Sequence, residues 1–182
     1  MTADPTIYVQ VFKEGLLSRL GHDLRLSFRR FEVEVVDGKL TARFFPESLV
    51  VDGAMRRGRL DTGALSDADR DKIHRAICRE ILFTQTHPEA LLQADVRDDP
   101  DGFRVEGNLT LVGARRSLPD IVVHRRGGRL QAELSLVPSR WGIKPYRALG
   151  GALRLQDKLV ATIDFPAPSG VTATQGTARW TR

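Results

Sequence analysis

The sequence predicts an all-β domain in which about eight antiparallel strands form an extended barrel, with one α-helix inserted midway. Short runs alternate apolar and polar residues with the period of two that half-buried strands require, most clearly over residues 103–111. Turn signals such as Asp37-Gly38 separate these runs. Only one segment has the spacing of a helix. Because clean alternation is typical of antiparallel sheets, a sheet closed on itself is favoured over a parallel α/β sheet.

The first third of the chain is predicted to consist of strands. One apolar face is formed by Leu24, Leu26 and Phe28. The alternation slips at Arg29-Arg30 and resumes at Phe31. One extra residue at that point predicts a β-bulge, which is a common way to bend a barrel strand. The Asp37-Gly38 pair then predicts a hairpin between two strands.

The middle segment predicts the single helix, over about residues 67–82. Ser66 is suited to be its N-cap, and Asp67 and Asp69 place carboxylates at the positive end of the helix dipole. One stripe of apolar residues recurs every four positions, at Ile73, Ile77 and Ile81. That stripe is expected to face a core.

The second half returns to strands. A strong turn over residues 98–102 precedes the run 103–111, and Gly127-Gly128 predicts a further turn. The last apolar run ends at Pro166, and the residues after it are small and polar. We therefore expect a barrel domain over residues 1–166 and a flexible tail over residues 167–182.

Charge and composition narrow the class of protein. The chain of 182 residues has a formal net charge of +5, supplied mostly by arginine in pairs such as Arg115-Arg116 and Arg125-Arg126. Such a surface either is simply solvated or attracts anionic lipid, acidic ligands or nucleic acid. Cys78 is the one cysteine, so no intramolecular disulfide is expected. The N-terminus has no basic and apolar regions of a signal peptide, and no apolar run is long enough for a membrane span, which predicts a cytoplasmic protein.

Several motifs together resemble a known family. Leu60-Asp61-Thr62-Gly63 precedes Asp69-Arg70-Asp71, and His87-Pro88 follows the helix. The strand Val105–Gly113 and the corner Ser139–Ile143 come next, in the same order and spacing as in the family. On these residues the chain resembles the YceI family of lipocalin-like isoprenoid-binding proteins.

The resemblance implies a lipocalin-like barrel with an elongated apolar cavity for a polyisoprenoid, an isoprenoid quinone or a fatty amphiphile. It also suggests a homodimer, and many relatives are exported to the periplasm. The barrel interior would either hold one ligand or be filled by side chains. No cofactor other than the bound lipid is expected. The residues predicted to line the cavity or contact the ligand are His22, Leu24, Leu26, Phe28, Phe103, Val105, Leu109, Leu111, Leu134, Leu136 and Trp141.

The residues give no case for an enzyme or a metal site. His22 and Asp23 are adjacent, so on a strand they would point to opposite faces. His74 and Cys78 are four residues apart on the predicted helix, but further metal ligands are missing nearby. Nucleophile-elbow and phosphate-binding glycine motifs are also missing.

Two other functions remain open. One is a nucleic-acid or anionic-surface binding module that uses the arginine clusters. Trp141 and Tyr146, which alternate with basic residues, could stack bases in such a module, although a barrel-corner plug is favoured. The other is a lipid-modifying isomerase or hydrolase, with His22 as its titrating group.

Overall fold

The protein is an antiparallel β structure with one helix. In this computed structural model, residues 4–14, 23–148, 153–168 and 176–182 are described. The strands are β1 (Thr6–Glu14), β2 (Asp23–Phe28), β3 (Phe31–Val36), β4 (Lys39–Phe44), β5 (Leu49–Arg56), β6 (Arg59–Asp61), β7 (Ala90–Asp99), β8 (Gly102–Leu111), β9 (Ala114–Ser117), β10 (Ile121–Arg126), β11 (Arg129–Leu136), β12 (Arg147–Ala148), β13 (Leu153–Pro166) and β14 (Thr177–Thr181). The helix α1 (Asp67–Ala76) continues into a π-helical turn, Ile77–Ile81, and 3₁₀ turns cover Pro46–Ser48 and Pro138–Trp141.

All of these strands belong to one sheet. Its order is β14-β3-β4-β7-β8-β10-β11-β13-β1-β2-β5-β6, and outside this order β9 pairs with β8 and β12 pairs with β13. The prediction of an eight-stranded closed barrel is therefore wrong in two respects. The sheet has fourteen strands in the described ranges, and its strand pairing leaves β14 and β6 as open edges. Two of the extra strands, β6 and β9, arise from tight hairpins at Arg57-Gly58 and Val112-Gly113, which the alternation pattern did not indicate.

The sheet nevertheless curls around one interior. Phe165 of β13 lies with its ring centroid 5.4 Å from that of Trp180 in β14 and 5.6 Å from that of Phe31 in β3. The Trp180 indole N–H also donates to the Pro166 carbonyl over 2.9 Å. Side chains, rather than a ladder of backbone hydrogen bonds, therefore close the seam between β14 and β13.

The C-terminal segment also differs from the flexible tail predicted for residues 167–182. Its last part, β14, pairs with β3 over five residue pairs from Thr177↔Val36 to Thr181↔Glu32. The polar composition hid this strand because only Ala178 and Trp180 face inward. The domain therefore extends to the C-terminal strand.

The predicted bulge at Arg29-Arg30 is instead a corner between two strands. β2 pairs with β1 and β5, whereas β3 pairs with β14 and β4. The Ser48 hydroxyl accepts from the Arg30 amide over 2.9 Å and thereby ties down the corner. The change of partner strands explains why the alternation loses its register there.

The helix lies where the sequence predicts it. Ser66 caps it through a capping box with Asp69, and this hydrogen bond to Ser66 holds the pKa of the Asp69 carboxyl below its ordinary value. Ile73 and Ile77 pack against a buried cluster on β2 and β5 made of Leu26, Leu49 and Val51. The Arg70 guanidinium donates to the carbonyls of Val51, Asp52 and Thr62, which fixes the helix onto that part of the sheet.

Candidate ligand cavity

An apolar cavity lies inside the curled sheet. The cavity has a volume of about 110 Å³. Among the residues that the structure describes, every side chain that lines it is apolar: Ile7, Val33, Val35, Leu40, Ala42, Phe44, Leu92, Val96, Phe103, Val105, Ile121, Val123, Leu130, Ala132, Ile163, Phe165, Pro168, Ala178 and Trp180. This volume is small, so a thin hydrocarbon chain fits it better than a bulky ring system.

The lining follows from strand alternation and register. Val96, Val105 and Ile121 are cross-strand partners on β7, β8 and β10, so they form one row of the wall. Ala132 pairs with Ile163, which pairs with Ile7, and these form a second row. Alanine at several inward positions leaves space that larger side chains would fill. The cavity is therefore a product of residue size as well as of strand curvature.

The lining rows lie nearest one end of the sheet, which we call the hairpin end. It carries the turns at Asp37-Gly38, Pro100-Asp101 and Gly127-Gly128. Charged pairs cover its outer surface. Lys39 contacts Asp95, and Arg104 bridges Asp99 and Asp120. The hydrogen bond from Arg104 keeps the pKa of Asp99 below its ordinary value. These groups lie outside the lining, and none of the described residues of the cavity wall has a titratable side chain.

Side chains fill the other end, which we call the Trp141 end. Trp141 is only 2% exposed, and its indole N–H donates to the Leu109 carbonyl over 2.9 Å. Leu118, Leu136 and Ile143 are buried in the same core cluster. This arrangement supports the interpretation of the Trp141 corner as a plug rather than a base-stacking surface.

The predicted site residues divide between the cavity and the packed regions. Phe103 and Val105 line the cavity. Leu109, Leu136 and Trp141 are buried in the core cluster, and Phe28, Leu111 and Leu134 pack half-buried against it. Leu26 lies in the cluster beneath α1, Leu24 is half-buried on β2, and His22 lies outside the described residues. Contact of any of these residues with a ligand stays a prediction.

The sequence reasoning omitted the part of the wall that β3, β4 and β14 supply. Val33, Val35 and Phe44 line the cavity, as does Trp180. The alternation of Phe31, Val33 and Val35 was visible in the sequence and could have identified these inward positions.

The cysteine–histidine pair offers no catalytic arrangement. The Cys78 Sγ lies 3.5 Å from His74 Nε2, and the same nitrogen lies 3.0 Å from the Glu47 carbonyl oxygen. Burial raises the pKa of the Cys78 thiol, which disfavours the nucleophilic thiolate. Over the described ranges, His, Cys, Asp and Glu side chains form no cluster of three or more that could hold a metal ion. In the same ranges, none of the helices has both the length and the apolar character needed to cross a bilayer.

Comparison with solved structures identifies the fold. BcnA from Burkholderia cenocepacia superposes with a TM-score of 0.60 at 11% identity, over 88% of this chain and 94% of its own. A polyisoprenoid-binding domain from Saccharophagus degradans, implicated in plant cell wall breakdown, gives 0.58 at 11% identity, over 90% and 94%. A mutant YceI protein of Campylobacter jejuni gives 0.50 at 11% identity, over 79% and 85%.

These similarities show that the protein has a YceI-like β fold. The resemblance that the sequence motifs suggested is therefore confirmed at the level of fold. No family model matches the sequence, and no curated protein matches it either.

Proposed function

We propose that this protein binds a long apolar molecule in its cavity and stores or transports it without changing it chemically. The observation that carries the proposal is that the described side chains of the cavity wall are all apolar. The fold is shared with a domain described as polyisoprenoid-binding, which supports a polyisoprenoid, an isoprenoid quinone or a fatty amphiphile as the ligand. The bound lipid is the only non-protein component in this proposal.

Burial of the ligand's hydrocarbon chain is the proposed source of its binding affinity. Each methylene group moved from water into such a wall contributes about 0.8 kcal/mol. The driving force therefore grows with chain length, whereas a polar head group has no partner among the lining side chains. We expect affinity to rise with the length of the chain until the cavity is full.

The apolar cavity wall favours a role in binding over a role in catalysis. General acid–base chemistry requires a titratable group within hydrogen-bond reach of the reacting atom. The described lining has no such side chain. The lipid-modifying alternative relies on His22, which lies outside the described residues. A cytoplasmic location and a homodimer stay predictions.

Two neighbouring valines on β10 provide a matched test. Val123 lines the cavity. Val122 is the preceding residue on the same strand and is not part of the lining. Val123→Phe should fill part of the narrow interior and weaken binding of a fluorescent polyene fatty acid at least about tenfold, which corresponds to about 1.4 kcal/mol. Val122→Phe should bind like the unmodified protein.

Displacement of the probe by a polyisoprenoid alcohol measures the affinity, and thermal unfolding confirms that both variants fold. Equal binding by two folded variants would contradict the assignment of this cavity as the binding site.

A further inference from the structure

The Trp141 end of the sheet exposes large apolar side chains. Phe83 is 48% exposed and Val137 is 42% exposed, although both belong to residue types that are normally buried. Phe83 lies in the turn between the π-helical segment and β7, and Val137 precedes the 3₁₀ turn that carries Trp141. Neither side chain is needed to fill the core.

The backbone at Phe83 adds a second observation. Its φ is +48°, a region that bulky residues rarely occupy and that Asn or Gly adopts at lower cost. The Phe83 carbonyl accepts from the amides of Thr86 and His87, each over 2.9 Å, and these bonds hold the turn in this shape. The turn therefore keeps an aromatic ring in solvent at an energetic cost to the fold.

Arginines without carboxylate partners lie on the same end. Arg115 donates to the Gln93 side-chain carbonyl, Arg116 to the carbonyls of Arg115 and Arg140, and Arg140 to the carbonyl of Ser117. Within the described ranges, none of the three lies in ion-pair contact with a carboxylate. No described carboxylate therefore pairs directly with their positive charges.

A series of contacts links the segments that carry these residues at the Trp141 end, and we call the set the Phe83 face: Phe83, Val137, Arg115, Arg116 and Arg140. The His87 ring, at the end of the Phe83 turn, lies 3.1 Å from the position that a Cβ atom on Gly113 would take. Gly113 leads directly into β9, which carries Arg115 and Arg116. Arg116 Nε reaches the Arg140 carbonyl over 3.0 Å, and the Arg140 amide donates to the Val137 carbonyl over 3.0 Å.

We propose that the Phe83 face docks on the surface of a bilayer that contains anionic phospholipid. Exposed apolar side chains enter the boundary between head groups and acyl chains, and the surrounding arginines bind lipid phosphates. An aliphatic residue such as Val137 has no stacking role on nucleic acid, so lipid is the better match. Asp157 contacts this surface through Ser139 and does not pair with the arginines. The proposal does not depend on the ligand in the cavity.

Paired arginines at opposite ends of the sheet provide the first test. Arg115-Arg116 lies at the Trp141 end, whereas Arg125-Arg126 lies at the hairpin end. The length of the ten-residue strand β8, about 30 Å, separates the two pairs. The readout is co-sedimentation with vesicles of phosphatidylcholine and phosphatidylglycerol in equal parts. Each basic residue at such a surface raises partitioning about fivefold, so Arg115→Gln/Arg116→Gln should weaken it about 25-fold.

The double variant Arg125→Gln/Arg126→Gln loses the same net charge and should change partitioning less than about twofold. Equal losses in the two double variants would overturn the proposal, because non-specific charge would then explain the binding. Vesicles of phosphatidylcholine alone should sediment little protein, and equal sedimentation with them would also overturn it.

Exposed apolar residues provide the second test. Phe83→Asn suits the positive φ, so it should raise the melting temperature while it weakens vesicle binding. Val36 is 40% exposed at the hairpin end, and Val36→Asn should leave vesicle binding unchanged. Unchanged vesicle binding by folded Phe83→Asn, or salt-sensitive binding to generic duplex DNA without vesicle binding, would overturn the proposal.

Discussion

Trp180 should hold the seam of the curled sheet together, and its removal should be costly. Trp180→Ala removes the 2.9 Å hydrogen bond to the Pro166 carbonyl and the ring contact with Phe165. The hydrogen bond accounts for about 1 kcal/mol and the aromatic pair for about 1 kcal/mol more. Loss of apolar burial by the half-buried indole adds about 1 kcal/mol. The expected loss in free energy of unfolding is therefore about 3 kcal/mol.

Trp180→Phe separates these contributions. It keeps a ring near Phe165 but removes the indole N–H, so it should cost only about 1 kcal/mol. Urea unfolding monitored by far-ultraviolet circular dichroism measures both variants. A double-mutant cycle with Phe165→Ala should show a coupling of about 1 kcal/mol. A loss below 1 kcal/mol in Trp180→Ala, with no coupling, would refute closure of the sheet by these side chains.

Three other substitutions test how local geometry supports the fold. Gly107→Ala should cost about 2–3 kcal/mol in urea unfolding, because its Cβ would lie 2.3 Å from the Gln93 carbonyl oxygen. A Gly107→Ala variant with wild-type stability would show that β7 and β8 separate easily. Ser66→Ala should lower stability by about 1 kcal/mol at neutral pH. The hydrogen bond to Ser66 lowers the pKa of Asp69 from 3.8. Part of the stability difference between Ser66→Ala and the unmodified protein should therefore disappear as the pH falls through the lowered pKa. A stability difference that does not change with pH would contradict the capping role of this hydrogen bond. Arg57→Asn should raise the melting temperature because the residue has a φ of +50°, and a lower temperature would show that the Arg57 side chain stabilises the turn.

The sequence predicted hairpins where the turn residues are the usual ones. Asp37-Gly38 and Gly127-Gly128 both have positive φ at their two central positions, as a type I′ turn requires. Arg57-Gly58 and Val112-Gly113 adopt the same geometry. Arginine and valine rarely occupy the first position of such a turn, so the sequence does not indicate these two short hairpins.

The inward faces of the clearly alternating strands were predictable, but the extent of the cavity along the curled sheet was not. Alternation correctly placed Phe103, Val105 and Leu109 on one face of β8. Only the first two line the cavity, because the buried Trp141 indole contacts the Leu109 backbone at the opposite end. That contact joins residues 32 positions apart in sequence. Strand periodicity carries no information about such long-range packing.

The rest of the cavity wall depends on the curling of the whole sheet. Phe31 and Trp180 meet Phe165 only because the curled sheet brings its two sides together. A short C-terminal strand with two inward residues gives a weak pattern by itself. Its role becomes visible only once its pairing with β3 is known.

Mass spectrometry of the organic extract from gently purified protein tests the central claim most directly. Our account predicts one long-chain polyisoprenoid, quinone or fatty amphiphile per protein chain, and its loss in the Val123→Phe variant but not in Val122→Phe. An extract that remains free of lipid after incubation of the protein with a lipid mixture would contradict binding in the cavity.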